Sequence, residues 1–566
     1  MKILILGGYG TFGGRLAHLL ADRADLTLVI AGRNEAAARA FCDRYPGPAA
    51  VQPMAMDRAE IAACLADVAP DVVVDASGPF QTYGGDPYGV PRACIAAGVQ
   101  YLDFSDAADF TAGISALDQE AKAAGVCVLS GVSSFPVLTA AVLRVMAQKM
   151  TITSVTGGIA PSPFAGMGLN VMRAVVGYAG EDLTLFRDGV WSKGKGLAET
   201  RRFTVAPPGL MPLPHLKFAL VDVPDLQVIP PEHPGIRALW MGAAPSPGVL
   251  LSALVILARL RARLPLPSLV PLARVFQVVL GLTARSVGGE HRGGMFVQAE
   301  GMQDGRAVTR SWHLLAEGDD GPFIPSMAIE ILLRRMADGV QSAAGARPAT
   351  RALELRDYEQ VFARRHIEFG WREDSGTIGR LYPDILGAAY EDLPEQVRAL
   401  HWPEATVGRT VWHGQAQIEG ADNVIGRMIA RLFRFPSAAR DVPTSVTFDT
   451  NGAQEVWTRR FGTQKMVSTQ EPGRGRNAHL MVERFGPVAV ALAVTVVERR
   501  LYLTPRRWTV FGVPLPKFLL PGGQTFEAEE NGKFQFDVTI SVPIVGRLVR
   551  YCGWLEPQTT SAASVL

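Results

Sequence analysis

Residues 2–20 read KILILGGYGTFGGRLAHLL, an apolar run followed by a glycine-rich turn and the beginning of a helical pattern. The run Lys2–Leu6 shows no polar alternation, which is typical of a strand buried on both faces of a parallel sheet. After the turn, Leu16, Leu19 and Leu20 recur at the spacing of one helix face. A strand, a glycine turn and a helix in this order predict the first unit of a doubly wound α/β sheet.

The glycine turn has the spacing that lets a backbone bind phosphate. Gly8 and Gly10 permit a tight turn with close approach to a pyrophosphate, and Gly13 lets the helix pack on the strand. Backbone N–H groups at the helix start face such a ligand. We therefore predict a dinucleotide site, although a glycine-rich turn without a ligand is the structural alternative. The predicted cofactor residues of this turn are Gly7, Gly8, Gly10, Thr11, Phe12 and Gly13.

The end of the second predicted strand, Leu26–Ala31, indicates which dinucleotide binds. An NAD site carries an acidic residue there for the ribose 2′-hydroxyl, whereas this chain has Gly32, Arg33 and Asn34. A guanidinium suits a 2′-phosphate and stacks on adenine. Arg33 and Asn34 are therefore predicted cofactor residues, and NADP is favoured over NAD. The nearby Glu35 keeps NAD as an alternative, and an arginine solvated at a strand end is the other.

The alternation of strands and helices continues to about residue 150. Gln52–Met56 is a predicted strand closed by Asp57, which suits either the adenine amine or the cap of the next helix. Asp71–Ala76 is a buried strand, and the loop after it is expected at the nicotinamide side. Tyr101–Phe104 and Val126–Ser130 complete the predicted sheet. The predicted cofactor residues of the loop are Ser77, Gly78, Pro79 and Phe80.

Three strings in this region resemble the saccharopine dehydrogenase-like group. They are VVVDASGPF at residues 72–80, Tyr83-Gly84, and PRACIAAGVQYLDFSD at residues 91–106. The resemblance implies an NAD(P)-dependent oxidoreductase with a Rossmann domain at residues 1–150, followed by a substrate domain. It leaves the substrate open, because the group includes members that act in amino-acid, polyketide and lipid chemistry.

Hydride transfer usually needs one acid or base beside the cofactor. Tyr83 is a candidate catalytic residue, with lining of the pocket as its alternative role. Asp103 is the second candidate, and its alternative role is to fix a loop through backbone N–H groups. Asp106 follows the same strand, and Ser133 or Ser134 is expected to cap the next helix. The histidines show no metal-type spacing, so no metal site is predicted.

Residues 151–370 are predicted to form an α+β domain for substrate binding and dimerisation. The alternating runs Gly294–Gly301 and Ala307–Glu317 predict a hairpin. The turn-rich stretch Gly339–Arg356 is interpreted as a linker or loop. A homodimer is one expected assembly of this domain.

The central domain contains an apolar insertion at residues 234–289, which has six arginines and no aspartate or glutamate. Its apolar runs Val249–Ala258 and Val275–Leu282 fall short of the roughly 20 residues of a membrane span, so a transmembrane hairpin is the weakest alternative. Through residues 246–285 the chain would contact an anionic membrane surface. A buried helical pair or a dimer contact is the equal alternative. Membrane contact and a buried or dimer-facing helical pair each favour a hydrophobic substrate.

Residues 381–558 are predicted to form an antiparallel β-rich α+β domain, with the sheet curled over the amphipathic helix Asp422–Phe435. EVWTRRFG at residues 455–462 and the run at residues 536–557 resemble a domain of unknown function found behind saccharopine dehydrogenase-like modules. Such a sheet either forms a cup for an apolar ligand or is packed solid. Arg459, Arg460 and Glu483 are candidate site residues of such a cup, and exposed strand charges are the favoured alternative.

Composition narrows the class of protein further. Apolar residues make up 48% of the 566-residue chain and charged residues 19%, which excludes a disordered protein. The net charge of +2 gives no general attraction to nucleic acid. Five cysteines without metal-type spacing indicate a reducing compartment. We therefore expect a cytoplasmic protein, with a peripheral position on the inner face of a membrane as a further expectation.

The leading hypothesis is an NADP-dependent oxidoreductase that moves a hydride to or from a hydrophobic carbonyl, imine or enoyl substrate. The alternative is a protein without turnover that senses NADP(H) or carries a lipid ligand.

Overall fold

The computed structural model describes residues 1–166, 168–286, 290–374, 379–402 and 407–558. The last three residues of the predicted insertion, 287–289, lie outside the described residues. The chain divides into two compact units. The first contains Met1–Phe203 and Leu216–Phe369, and the second contains Thr204–His215, Gly370–Arg372 and the C-terminal part of the chain.

The first unit contains two large sheets and a small hairpin. Its strands are β1 Lys2–Leu6, β2 Thr27–Gly32, β3 Ala50–Ala55, β4 Val72–Asp75, β5 Gln100–Asp103, β6 Cys127–Ser130, β7 Thr151–Ala160, β8 Asp182–Arg187, β9 Val190–Lys195, β10 Thr200–Phe203, β11 Leu216–Leu220, β12 Ala238–Ala243, β13 Gly293–Gln303, β14 Arg306–Ala316, β15 Gly345–Pro348 and β16 Ile367–Asp374. Its α-helices are α1 Thr11–Leu19, α2 Glu35–Cys42, α3 Ile61–Val68, α4 Gly89–Ala97, α5 Ala108–Gly113, α6 Asp118–Ala123, α7 Thr139–Ala147, α8 Leu169–Gly177, α9 Asp225–Val228, α10 Gly248–Arg261, α11 Ala273–Ser286, α12 Ile324–Ala337 and α13 Leu355–Phe362.

The first sheet is the predicted doubly wound parallel sheet. Its strand order is β15-β6-β5-β4-β1-β2-β3, and each neighbouring pair is parallel. Ile3, Leu4 and Ile5 of β1 are completely buried, because helices cover both faces of the sheet. The chain leaves β1 toward β2 on one side and later returns to β4 on the other. This reversal opens a crevice beyond the carboxyl ends of β1 and β4.

The seventh strand corrects the linker prediction for Gly339–Arg356. Gly345–Pro348 pairs in parallel with Cys127–Ser130 and extends the sheet at its edge. Four residues with a proline at the end lack an apolar run, so the pattern gave no strand signal. The strand exists because its backbone completes hydrogen bonds with β6, more than 200 residues earlier in the chain.

The second sheet is mixed, as the α+β expectation required. Its order is β10-β11-β12-β7-β13-β14-β16. The predicted hairpin is confirmed as β13 and β14, joined at Asp304-Gly305, where both residues have positive φ. The helices of the insertion, α10 and α11, have 14 residues each. Over the ranges described, none of the helices has the length and hydropathy that a bilayer-spanning segment requires.

The second unit is a closed antiparallel barrel. Its strands are β17 Val407–Glu419, β18 Ala439–Asn451, β19 Gln454–Phe461, β20 Gln464–Pro472, β21 Met481–Phe485, β22 Val488–Val497, β23 Arg500–Val510, β24 Val513–Pro514, β25 Thr525–Glu530, β26 Lys533–Val542 and β27 Gly546–Pro557, and its α-helices are α14 Leu381–Leu386, α15 Glu395–His401 and α16 Val424–Leu432. The strands follow the order β22-β21-β20-β19-β18-β17-β27-β26-β25-β23-β24, and pairing of β22 with β23 closes the ring.

The barrel is filled by α14 and α15 instead of the expected helix at Asp422–Phe435. Leu386 and Val397 are completely buried and pack with the inward-facing strand residues. By contrast, Met428 and Leu432 of α16 are 66% and 77% exposed. The cavity inside the barrel measures about 60 Å³, which is room for about two water molecules. Among the described residues, the interior of the barrel therefore matches the packed alternative more closely than the cup, and ligand binding by this domain stays a prediction.

Candidate active site

A cleft of about 500 Å³ lies at the crevice beyond β1 and β4. Loops after the five parallel strands β1 to β5 form its walls, and α8 covers one side. Its lining residues are Leu6, Gly7, Tyr9, Gly10, Thr11, Phe12, Ala31, Gly32, Arg33, Met56, Asp57, Arg58, Ala76, Ser77, Gly78, Pro79, Phe80, Tyr83, Phe104, Asp106, Gly168, Leu169, Asn170, Val171 and Ala174. Most of the predicted cofactor residues are in this set, and the exceptions are Gly8, Gly13 and Asn34.

The glycine turn adopts a geometry that larger residues would disturb. Gly7 has φ +72°, and a Cβ atom there would lie 2.7 Å from the Ala76 carbonyl oxygen. A Cβ atom on Gly13 would lie 2.5 Å from the Gly7 carbonyl oxygen. Gly13 therefore lets α1 pack against the turn, as predicted, and does not itself line the cleft. Gly8 packs in the same way against Ile30.

The amino end of α1 points toward the cleft without a side-chain cap. Its N-cap residue is Gly10, which has no side chain to bind the first-turn amides. Thr11 and Phe12 open the helix and line the cleft. The first amides of a helix lack partners within the helix and carry partial positive charge. A diphosphate fits the chemistry of this end of the cleft.

Arg33 lines the same cleft and directly follows β2. It is exposed, and within the described ranges it takes part in no ion pair. Glu35, which would favour NAD, instead pairs with Arg39 at 2.7 Å along α2. Asn34 is a helix cap, because its side chain accepts the Ala37 N–H at 3.0 Å. Asn34 and Glu35, the neighbours of Arg33 that could bind the ribose, therefore make their side-chain contacts with α2 instead.

Two further residues complete this end of the cleft. The Tyr9 ring packs on Gly32, and its hydroxyl accepts the N–H of Asn34 at 3.1 Å. Asp57 lines the cleft and accepts the Ala59 N–H at 3.0 Å, so it caps the turn that follows β3. Tyr9 was missed by the sequence, because an aromatic residue inside a glycine turn gives no signal of its own.

The loop after β4 contains a hydrogen-bonded network that the sequence did not predict. Asp75 is completely buried, and its Oδ1 accepts the Ser77 hydroxyl at 2.5 Å and the Ser77 N–H at 3.0 Å. The Ser77 and Tyr83 hydroxyls are 3.0 Å apart. The Nε of Arg58 lies 3.6 Å from the second Asp75 oxygen. Tyr83, a predicted catalytic residue, is thus connected to a buried carboxylate through Ser77.

The environment of Tyr83 keeps its phenol protonated. Burial, and then the charge of Asp75, raise the pKa of Tyr83 well above its ordinary value of 10. A phenol in this state is able to donate a proton and unable to act as a base near neutral pH. The Tyr83 side chain lines the cleft together with Phe80 and Gly78.

Asp103 and Asp106 occupy different environments. Asp103 is completely buried and does not line the cleft; its Oδ1 accepts the N–H groups of Ser105 and Gly131 at 2.9 and 2.7 Å. This geometry matches its alternative role of fixing a loop. Burial raises the pKa of Asp103 to about 7. Asp106, by contrast, lines the cleft, and burial also raises its pKa above the ordinary value.

The predicted serine caps are wrong. Ser133 makes no side-chain cap hydrogen bond, and Ser134 is buried. Their helical turn begins with buried apolar packing, so α7 needs no hydroxyl at its start.

Helix α8, which follows β7 of the second sheet, covers the cleft beside the loop after β4. The Asn170 side chain donates to the Gly78 carbonyl oxygen at 2.9 Å. Leu169, Val171 and Ala174 add an apolar wall. None of these residues was predicted, because their role depends on one element of the chain meeting another about 90 residues away.

Two family models match parts of the chain. Residues 3–129 match the saccharopine dehydrogenase NADP binding domain. Residues 393–555 match a domain of unknown function, DUF4166, as the sequence resemblance predicted. The match at residues 3–129 identifies the chain as an oxidoreductase of the dehydrogenase type that uses a nicotinamide cofactor. No curated protein sequence matches the chain.

Several solved structures are similar to this chain at low identity. Apo saccharopine dehydrogenase (L-Glu forming) from Saccharomyces cerevisiae is 14% identical, with a TM-score of 0.47 over 66% of this chain and 99% of that one. The WlbA dehydrogenase from Thermus thermophilus in complex with NAD and alpha-ketoglutarate is 11% identical, with a TM-score of 0.29 over 61% and 90%. A Gfo/Idh/MocA family oxidoreductase from Vibrio cholerae is 10% identical, with a TM-score of 0.28 over 60% and 91%.

Proposed function

We propose that the protein is an NADP-dependent oxidoreductase that transfers a hydride to or from a hydrophobic carbonyl, imine or enoyl substrate. The preference for NADP over NAD is inferred from the ion pairing of Arg33 and Glu35. Arg33 lines the cleft with no ion pair among the residues described, whereas Glu35 is held by Arg39 on α2. A cation without a counter-charge suits a 2′-phosphate, and an occupied carboxylate is poorly placed to bind a ribose hydroxyl.

The chain's own groups divide the work at the cleft. The uncapped start of α1 holds the diphosphate, and Arg33 holds the 2′-phosphate. Bound NADP(H) supplies or accepts the hydride. Tyr83 and Asp106 both line the cleft: the raised pKa of Tyr83 keeps its phenol protonated, and burial raises the pKa of Asp106 above its ordinary value. They support proton transfer to or from the substrate oxygen or nitrogen.

The composition of the cleft supports a hydrophobic substrate. Phe12 and Phe104 stack with ring centroids 5.6 Å apart, and both line the cleft. Phe80, Leu169 and Val171 extend this apolar surface beside the nicotinamide-side loop. Pockets bind ligands largely through such surfaces, with a few polar groups setting orientation.

The cofactor assignment is tested by nucleotide titration of the purified full-length protein. The wild type is expected to bind NADPH more tightly than NADH, and Arg33→Asp is expected to reverse the order. A hydrogen bond to a charged group is worth about 1.5–3 kcal/mol, so NADPH affinity should fall by about 10- to 100-fold. Arg44→Asp, an exposed arginine of the same domain outside the cleft, is the matched control. Equal ratios for all three proteins would remove the role of Arg33.

Turnover distinguishes an enzyme from a sensor. Steady NADPH oxidation with a panel of long-chain ketones, imines and enoyl compounds is the expected result. Tight NADPH binding without turnover on any compound would instead support a protein that only senses the nucleotide.

A further inference from the structure

The insertion exposes an unusual amount of apolar surface. Ten large apolar side chains between residues 249 and 282 are 38–79% exposed, the largest value being that of Val249. They are carried by α10, α11 and the segment 262–272 between them, which together we name the apolar ridge. Exposed apolar side chains in this number, close together along the chain, indicate a candidate binding surface. The ten residues are Val249, Ile256, Leu260, Leu264, Leu266, Val270, Leu272, Val275, Val278 and Leu282.

The charge of the apolar ridge has one sign. Arg263 and Arg274 are exposed beside the apolar side chains, and the insertion has no acidic residue. Arg259 is also exposed and donates to the Ala198 carbonyl oxygen at 3.0 Å. Among the described residues, Glu181 is an acidic group of a neighbouring element that meets the ridge, and it pairs with Arg261. The outer arginines therefore present positive charge together with apolar surface.

This charge distribution disfavours a second copy of the chain as the occupant. In a two-fold dimer, a surface patch of one copy contacts the same patch of the other copy. The arginines of the ridge would then face arginines with no acidic residue of the insertion between them. An anionic surface, by contrast, satisfies both the apolar side chains and the arginines.

We propose that the apolar ridge binds the surface of an anionic membrane, with α10 and α11 lying in the plane of the lipid headgroups. Each helix has 14 residues, which suits burial of one face at the acyl boundary. Resting on the proposed function, we further propose that the hydrophobic substrate enters the cleft from this membrane.

One helix connects the ridge with the cleft. Helix α11 and the turn Val270–Leu272 pack against α8. The same helix α8 lines the cleft through Leu169 and Val171, and its Asn170 bonds the loop after β4. A substrate that leaves the bilayer at the ridge therefore meets the apolar wall of the cleft within the length of α8.

The test is vesicle flotation of the full-length protein. Neutral vesicles of phosphatidylcholine are compared with vesicles that contain 30% phosphatidylglycerol, at low and high salt. We expect co-flotation with the anionic vesicles, weakened by salt because screening acts on the arginines. The triple variant Ile256→Glu, Val275→Glu, Val278→Glu should lose at least ten-fold in vesicle partitioning. Arg274→Gln should lose about five-fold, since a basic residue near an anionic surface is worth about 1 kcal/mol.

Two controls keep the result interpretable. Val190→Glu changes an apolar side chain that is 60% exposed outside the ridge, and it should float like the wild type. NADPH affinity of the triple variant should equal that of the wild type, which shows that the fold is retained. Absence of flotation with both vesicle types would overturn the proposal, as would a dimer that the triple variant converts to monomer. Flotation without turnover of any vesicle-borne substrate leaves the membrane contact standing and overturns the substrate clause alone.

Discussion

The guanidinium carbon of Arg58 lies 3.4 Å from the centre of the Tyr83 ring. A cation over an aromatic face is attracted by the ring quadrupole. The same arginine approaches buried Asp75, and its NH2 group donates to the Pro87 carbonyl oxygen at 2.9 Å. Arg58 therefore holds Tyr83 against the loop that follows β4 and offsets the charge of the carboxylate behind it.

Tyr83→Phe should lower kcat while nucleotide affinity stays within about two-fold. The change removes the hydroxyl that lies 3.0 Å from the Ser77 hydroxyl, but keeps the ring beneath Arg58. Positioned proton transfer contributes about 10²- to 10⁴-fold to a rate, so single-turnover NADPH oxidation should slow by at least ten-fold. Tyr88→Phe is the control, because Tyr88 belongs to the same aromatic cluster and donates to Phe110 outside the cleft lining. Equal rates for both variants would exclude Tyr83 as the donor.

Asp106→Asn should change the pH dependence of the reductive reaction. Burial raises the pKa of Asp106 above its ordinary 3.8, so the carboxyl holds a proton at low pH and loses it as the pH rises through the raised value. The wild-type rate should therefore fall with rising pH on that limb, and the variant should lack the limb. Plots of log kcat against pH measure this difference. An unchanged limb in the variant would assign the titration to another group.

Asp103→Asn is expected to behave differently, since this carboxylate fixes the Gly131 and Ser105 backbone. It should lower the melting temperature and leave the pH limb in place. Loss of the limb in this variant with retained stability would restore Asp103 as a catalytic residue.

Glu483→Gln should destabilise the barrel strongly. Glu483 accepts from Arg459, Ser468 and Gln470, and the side chains of Arg459 and Glu483 are each 10% exposed. Removal of one partner of a buried ion pair costs about 3–5 kcal/mol, because the other charge stays buried. Guanidinium unfolding followed by tryptophan fluorescence measures the loss. Glu471→Gln breaks the more exposed Arg484–Glu471 pair and should cost less than about 1 kcal/mol. Similar losses for both variants would contradict the assigned burial.

Asp225→Asn should reduce the pH dependence of stability. Asp225 is completely buried, and burial raises its pKa to about 7, although hydrogen bonds with Thr139 and the backbone act in the opposite direction. The folded chain then holds this proton more tightly than the unfolded chain. Its stabilisation is complete below about pH 4 and is lost as the pH rises through 7. The shift corresponds to about 4 kcal/mol at about 1.4 kcal/mol per unit.

The measurement for Asp225 is the free energy of unfolding at pH 4 and pH 8. The decline between these values should be smaller in Asp225→Asn than in the wild type. Asp188→Asn, an exposed aspartate, should reproduce the wild-type decline. Equal declines in all three proteins would show that Asp225 titrates alike in both states.

The part of the site that the sequence predicted well is local along the chain. The turn Gly7–Gly13 and Arg33 could be found because each glycine and the strand end lie within one strand, turn and helix, whose periodicity is visible in about 30 residues. Asp75 and Arg58 could not be found in this way. Asp75 is a buried aspartate at a strand end and Arg58 follows a capping aspartate, and the two approach each other only when two βα units pack side by side.

The barrel shows the same division. Its hairpins were visible from alternating runs and tight turns, but Arg459 was expected on the surface and is buried with Glu483. Alternation indicates that one strand face is buried and does not tell which face, because the choice depends on what closes the barrel.

By itself, then, the sequence determined the parallel sheet, the glycine-rich turn after β1 and the basic, apolar character of the insertion, since these depend on short-range periodicity and composition. Only the tertiary structure decided the seventh strand at Gly345–Pro348, the helices that fill the barrel and the contact of α8 with the cofactor cleft. Each of those joins segments far apart in the chain. Backbone hydrogen bonds and apolar burial, which no single segment can complete alone, select them.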